Sequence, residues 1–151
     1  MDDGSIKYEA ASPDEAALVA AGKQLGYRFA ERTMKTVTVE RRDGKRLEFE
    51  LLNVLEFNST RKRMSVIVRT PDKRIVLYCK GADTVIYERL RNKEPTSKIT
   101  LEHLEKFAAT GLRTLCCGMV ELDPEEYKKW NKTFHEASGL FFLYIYESVY
   151  L

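Results

Sequence analysis

KTVTVERRDGKRLEFELL, Lys35 to Leu52, decides the fold. Val37 and Val39 alternate with Thr36 and Thr38, a pattern that lays apolar side chains along one face of a strand. Asp43-Gly44 interrupts it with a turn pair that tolerates left-handed backbone. Leu47, Phe49 and Leu51 then resume the alternation between Arg46 and Leu52. The stretch predicts a β-hairpin.

Upstream of the hairpin, a short strand is expected around Tyr27 to Ala30. Before it, Ser12-Pro13-Asp14-Glu15 signals a helix start, with serine as N-cap, proline in the first turn and Glu15 at the capping-box position. Ala16 to Ala21 continue this helix and Gly26 is its expected stop.

Downstream, Leu55 to Phe57 leads into a basic turn. Met64, Val66 and Val68 mark a strand, Pro71-Asp72 turns it, and Ile75 to Cys79 pairs back. Lys80-Gly81-Ala82-Asp83 reads as a break, with Asp83 capping a helix from Thr84 to about Arg91. Asn92 to Lys98 reads as a polar loop. Leu101, Leu104, Phe107 and Ala108 mark a further helix that Gly111 ends, and a strand is expected over Leu112 to Leu122. Asp123-Pro124-Glu125-Glu126 opens the last helix. Adjacent hairpins with helices at either end predict an α+β domain with a mainly antiparallel β-sheet.

The chain has 151 residues, 44% apolar and 32% charged, which is the composition of an ordinary globular domain. Its net charge of +2 provides no global field for nucleic acid or an anionic membrane, so a basic site must be local. The acidic start MDDGSIKYEA is unlike a signal peptide. Cys79, Cys116 and Cys117 form an odd set with an adjacent pair, which favours reduced thiols over a disulfide framework. No second cluster at metal-ligand spacing accompanies them. Walker A and GxGxxG loops do not occur in the sequence, and His103 and His135 fall on separate helices without a partner motif.

The basic turn is the segment FNSTRKRMS, Phe57 to Ser65. An aromatic at the lip of three consecutive cations suits a ligand with a planar base at one end and phosphates at the other. Phe57 reads equally as core at a strand end, and Arg61, Lys62 and Arg63 as a solvated turn. Lys80-Gly81 sets a cation beside a capped helix start, a weak signal for an anion by itself. Thr110-Gly111-Leu112-Arg113 reads as a helix stop with Arg113 on the first residues of a strand, where a surface ion pair is the commoner role. Glu15 reads first as a cap, although one carboxylate serves both a cap and a ligand amine.

Taken in order, SPDE, FNSTRKRMSV, KGAD and TGLRTL resemble the nucleotide-binding domain of P-type ATPases. The form of the first two motifs resembles the type IV branch, the phospholipid flippases. The resemblance covers about Tyr8 to Ala137. It implies an N domain over residues 1–138, followed by an atypical apolar tail, 139–151, that includes the run GLFFLYIY. It further implies that adenine stacks on Phe57 and that Glu15 accepts from the adenine amine. Lys80 and Gly81 would line the base and ribose pocket, and Arg113 would reach phosphate or ribose. Lys62 matches a family cation near the site, and Ser59 stands where related calcium pumps carry an arginine.

The family's phosphorylation motif, an aspartate followed by Lys-Thr-Gly-Thr, does not occur in the chain. The resemblance therefore implies a domain that holds ATP, with Mg2+ accompanying it, for an aspartate elsewhere. The implied partners are the phosphorylation and actuator domains of a parent chain, an accessory β-subunit and an aminophospholipid substrate, with no nucleic acid. The implied place is the cytosolic face of a membrane. The alternative is a non-catalytic interaction module that docks a protein or acidic lipid through its basic turn and apolar tail.

Overall fold

The computed structural model describes residues 12–91 and 95–139. Its elements are α1 (Pro13–Gln24), β1 (Tyr27–Arg32), β2 (Thr36–Arg41), β3 (Arg46–Asn58), β4 (Arg63–Arg69), β5 (Ile75–Gly81), α2 (Asp83–Tyr87), α3 (Pro95–Ala109), β6 (Cys116–Leu122) and α4 (Pro124–Gly139). The strands form a 6-stranded sheet in the order β1-β2-β3-β4-β5-β6. Pairing is antiparallel between β1 and β2, β2 and β3, β4 and β5, and β5 and β6. This is the α+β class expected from the hairpins. The chain divides into two compact units, Met1–Leu51 and Leu52–Leu151, and β3 contributes residues to both.

In the first unit, Ser12 is extended and its hydroxyl accepts the Glu15 N–H at 3.2 Å, the expected N-cap. The helix ends at Leu25 and Gly26, whose φ of +97° belongs to the left-handed region. Arg42 lies against this end and donates from Nη2 to the Gln24 carbonyl at 3.2 Å. The hairpin turns at Asp43-Gly44, as the sequence predicts. Gly44 has φ +78° and donates to the Arg41 carbonyl, while the Asp43 carboxylate accepts from the Lys45 N–H at 3.1 Å. Register sets Val37 opposite Phe49 and Val39 opposite Leu47, so the alternation that marks the strands also pairs their apolar residues.

In the second unit, Leu55, Ile67, Ile75, Leu77, Cys79, Ile86, Leu104 and Cys116 form the buried cluster. Tyr127, Trp130 and Phe134 of α4 pack against it, and the last two rings stack with centroids 5.0 Å apart. Asp123 caps α4 by accepting the Glu125 and Glu126 N–H groups at 2.9 and 3.0 Å. Asn53, buried within β3, donates to Asn131 at 2.9 Å and accepts from the Tyr127 hydroxyl at 2.7 Å. Those bonds let a polar residue sit in the packed layer without an unmet donor or acceptor.

Several boundaries differ from the sequence expectation. The strand expected over Arg46 to Leu52 continues to Asn58, with Asn53 inside it satisfied from α4. Lys80 and Gly81 belong to β5, paired with Met64 and Arg63. The helix expected to reach Arg91 closes at Tyr87, and its N-cap is Ala82 without a side-chain bond. Asp83 lies inside that helix, with its carboxylate accepting the Thr84 N–H at 2.7 Å. Pro95 opens α3, so residues 95–98 are helical where a loop was expected. Proline's missing N–H is harmless in a first helical turn. β6 begins at Cys116 and not at Leu112, because the α3 stop uses the intervening residues. Gly111 has φ +78°, and the Leu112 N–H returns to the Phe107 carbonyl at 3.0 Å. Gly139 ends α4, and residues 140–151 of the expected tail lie outside the described residues.

Candidate functional site

Antiparallel order brings four chain segments of the second unit to one end of the sheet. β3 and β5 finish there, while β4 and β6 begin there, with Arg63 opposite Gly81 and Gly81 opposite Cys116. Phe57 therefore stands at the same end as the basic turn, Lys80-Gly81 and the segment carrying Arg113. Phe57 is 62% exposed, so core packing is not its role.

The turn is built from its own backbone and Asn58. The Asn58 side-chain carbonyl accepts the Arg61 N–H at 2.7 Å, its main-chain carbonyl accepts the Lys62 N–H at 2.8 Å, and Arg61 donates to the Glu56 carbonyl at 2.8 Å. Lys62 is then forced to φ +53°, left-handed for a non-glycine residue. In that conformation its carbonyl accepts the Ala82 N–H at 3.1 Å.

Gly81 makes this approach possible. A Cβ there would fall 2.7 Å from both the Arg63 Cβ and the Lys62 carbonyl oxygen. The basic turn and the Lys80-Gly81 pair, read separately in the sequence, are thus one backbone-joined unit.

Side chains divide between the faces. Cross-strand register puts Met64, Lys80 and Cys117 in one row, with Lys80 half-buried between its neighbours. Arg63 lies on the other face, only 7% exposed, and donates to the Arg61 carbonyl at 3.1 Å. Of the three cations read as a solvated turn, at least two of them expected to be so, Lys62 is exposed, Arg61 half-buried and Arg63 buried. Ser59 is exposed in the turn and Arg113 is exposed between α3 and β6. Glu15 is half-buried in the other unit, at the start of α1.

The organising role of Asn58 was within reach of sequence reasoning, since asparagine favours such side-chain turns. The burial of Arg63 carried no local signal.

The three cysteines are free, with Cys79 and Cys116 buried and Cys117 exposed. Burial pushes the Cys116 thiol up, and Asp83 and Cys117 add to the effect. Among the described residues, no group of three or more His, Cys, Asp or Glu is placed to hold a metal ion. Among them, too, no helix is long and apolar enough to cross a membrane. A cavity of about 200 Å³ lies toward the C-terminal end of β6, lined by Leu77, Leu122, Tyr127 and Trp130. It is at the opposite end of the strands from the basic turn.

The family described as "P-type ATPase, cytoplasmic domain N" matches residues 2–143. Phospholipid-transporting ATPase DRS2 of Saccharomyces cerevisiae is 54% identical over 138 residues, covering 90% of this chain and 10% of the relative. Phospholipid-transporting ATPase IC of Homo sapiens is 51% identical over 136 residues, covering 90% of this chain and 11% of the relative. The mouse protein of the same name is 52% identical over 136 residues, with the same coverage. The chain thus spans about a tenth of the length of these relatives. With a family match over nearly all its residues, the chain belongs to the cytoplasmic N domains of the P-type ATPases.

Proposed function

We propose that this domain binds ATP at the sheet end formed by Phe57, Ser59, Lys62, Lys80, Gly81 and Arg113. The observation that carries the reading is the exposed ring of Phe57 at the end where the basic turn is fastened to Lys80-Gly81. Adenine stacks on that ring. Lys80 supplies a cation held in place by its strand neighbours, and Lys62 and Arg113 supply exposed cations toward the phosphates. The Ser59 hydroxyl adds a polar contact where no arginine is present. Mg2+ travels on the phosphates.

One aromatic stack contributes about 1–3 kcal/mol. Charge-assisted contacts add roughly 1.5–3 kcal/mol each before ordering costs. The net expectation is about −4 to −6 kcal/mol, a dissociation constant of high micromolar to millimolar order. Weak binding suits a domain that hands its nucleotide to another.

In the parent protein the bound ATP is offered to an aspartate of a phosphorylation domain. The transfer, with an actuator domain, drives an aminophospholipid across a membrane from whose cytosolic face this domain projects. An accessory β-subunit completes that assembly. The names of the similar proteins, phospholipid-transporting ATPases, support a phospholipid as the transported class.

Titrating ATP while following backbone amide shifts tests the nucleotide reading. Shifts are expected at Phe57, the turn, Lys80 to Ala82 and Arg113. Their absence at millimolar ATP overturns the reading. Shifts governed by salt alone, with no preference for adenine, favour a docking module instead. Glu15 belongs to the other unit, and Glu15→Gln in the same titration reads its share in adenine recognition.

A further inference from the structure

A second cluster of cations lies wholly in the first unit and is used by nothing described above. Lys23, Arg28, Arg41 and Arg42, with Gly26, Glu40 and Gly44, line an open cavity of about 240 Å³. This is smaller than the roughly 300–1,000 Å³ of sites that enclose drug-sized ligands, and it suits a small headgroup or ion.

Its charges are unevenly matched. Arg28 is paired with Glu40 at 2.7 Å and Arg41 with Asp43 at 3.3 Å. Arg42 donates to a neutral acceptor, the Gln24 carbonyl, and among the described residues neither it nor Lys23 has a carboxylate partner. Two positive charges are therefore left over in a concave site.

The site is built and does not merely collect loose side chains. Arg42 packs where a Cβ on Gly26 would meet it, with its Cβ and Nε each 3.3 Å from that position. The left-handed glycine that ends α1 thus makes room for the guanidinium, and the Gln24 carbonyl fixes its direction. Arg28 is oriented in the same way by Glu40 across the β1–β2 pair. The directed guanidinium of Arg42 and the lysine, with the Glu40-paired Arg28 beside them, favour an acceptor that takes several N–H donors at once, which is what a phosphomonoester offers.

We propose that this cavity binds a phosphomonoester dianion, independently of the nucleotide. The shared chemistry comes from either a free metabolite phosphate or a lipid headgroup. Two probes separate them: sn-glycerol 3-phosphate in solution, and phosphatidylcholine vesicles containing phosphatidic acid.

The full chain is titrated with each probe at constant ionic strength, following the amides of Gly26, Arg28, Arg42 and Gly44. Saturable shifts confined to that region are expected. Arg42→Gln is expected to weaken binding about tenfold or more, through loss of a charge-assisted contact, with Lys23→Gln as the second variant. Phe57→Ala should leave this binding unchanged, so failure here and failure of the ATP site are read separately. Tighter binding to vesicles than to glycerol 3-phosphate identifies the lipid source, and equal binding identifies the free phosphate. Diffuse shifts at lysines and arginines throughout the chain, or an unaltered titration in both variants, overturn the proposal.

Discussion

In the second unit Ile67, Leu77, Ile86 and Val76 are each less than 2% exposed, whereas among residues 12–51 only Thr38, at 8%, is buried. The two regions share a sheet but are stabilised differently. The second excludes water from aliphatic side chains and stacks aromatic rings of α4 on them. The first relies on a capped helix, a tight hairpin and ion pairs at the surface. Surface ion pairs of this kind contribute little, about 0–1 kcal/mol each. The candidate nucleotide residues, Glu15 apart, sit on the region with the aliphatic core, where a binding geometry is held by packing.

The sharpest way to break this contrast is to remove core volume from each side. Leu77→Ala should cost roughly 2–5 kcal/mol, read by urea unfolding, while Val39→Ala on half-buried β2 should cost about 1 kcal/mol. Equal losses would mean that the first unit has a comparable core. Native-state hydrogen exchange sharpens the same point. Amides of β1 and β2 should open at lower free energy than those of β4 and β5, and the buried Cys79 and Cys116 should react with thiol reagents only when β5 and β6 open.

Next in size is a pair of glycines. Gly81→Ala meets backbone and should cost about 1–3 kcal/mol while weakening ATP binding, because the turn must shift. Gly44→Ala meets open space but keeps φ +78°, so it should cost about 1–2 kcal/mol and leave ATP binding alone. Calorimetry with a nucleotide titration on both variants distinguishes steric from conformational demand.

Phe57→Ala should remove about 1–3 kcal/mol of ATP binding. Its effect on stability should stay within roughly 0.5 kcal/mol, as expected of an exposed side chain. A modest and local effect is expected of Ser12→Ala. It removes the hydroxyl that accepts the Glu15 N–H and should cost about 1 kcal/mol, visible as faster exchange in the first turn of α1.

What the sequence made legible was local. The Asp43-Gly44 hairpin, the Ser12 and Asp123 caps and the glycine stops at Gly26 and Gly111 each depend on residues a few positions apart. What it hid depends on distant partners. The strand runs on through Asn53 only because Asn131 and Tyr127 satisfy it, and Arg63 looks like surface until the strand register carries it to the covered face. The three motifs of the candidate site were legible as an ordered set. That two of them are fastened through the Lys62 carbonyl was not, because the bond is between main-chain atoms and leaves no trace in residue type.

That fastening sets which kinds of change the turn between β3 and β4 accepts over evolution. With the Lys62 carbonyl held by Ala82 and Gly81 pressed against it, the number of residues from Asn58 to Arg63 is fixed, while the identity of exposed Ser59 and Thr60 is not. An insertion or deletion there would slip Arg63 from its place opposite Gly81 and reverse the faces of β4. Side-chain exchange at those two positions leaves the fastening intact, whereas a longer loop breaks it.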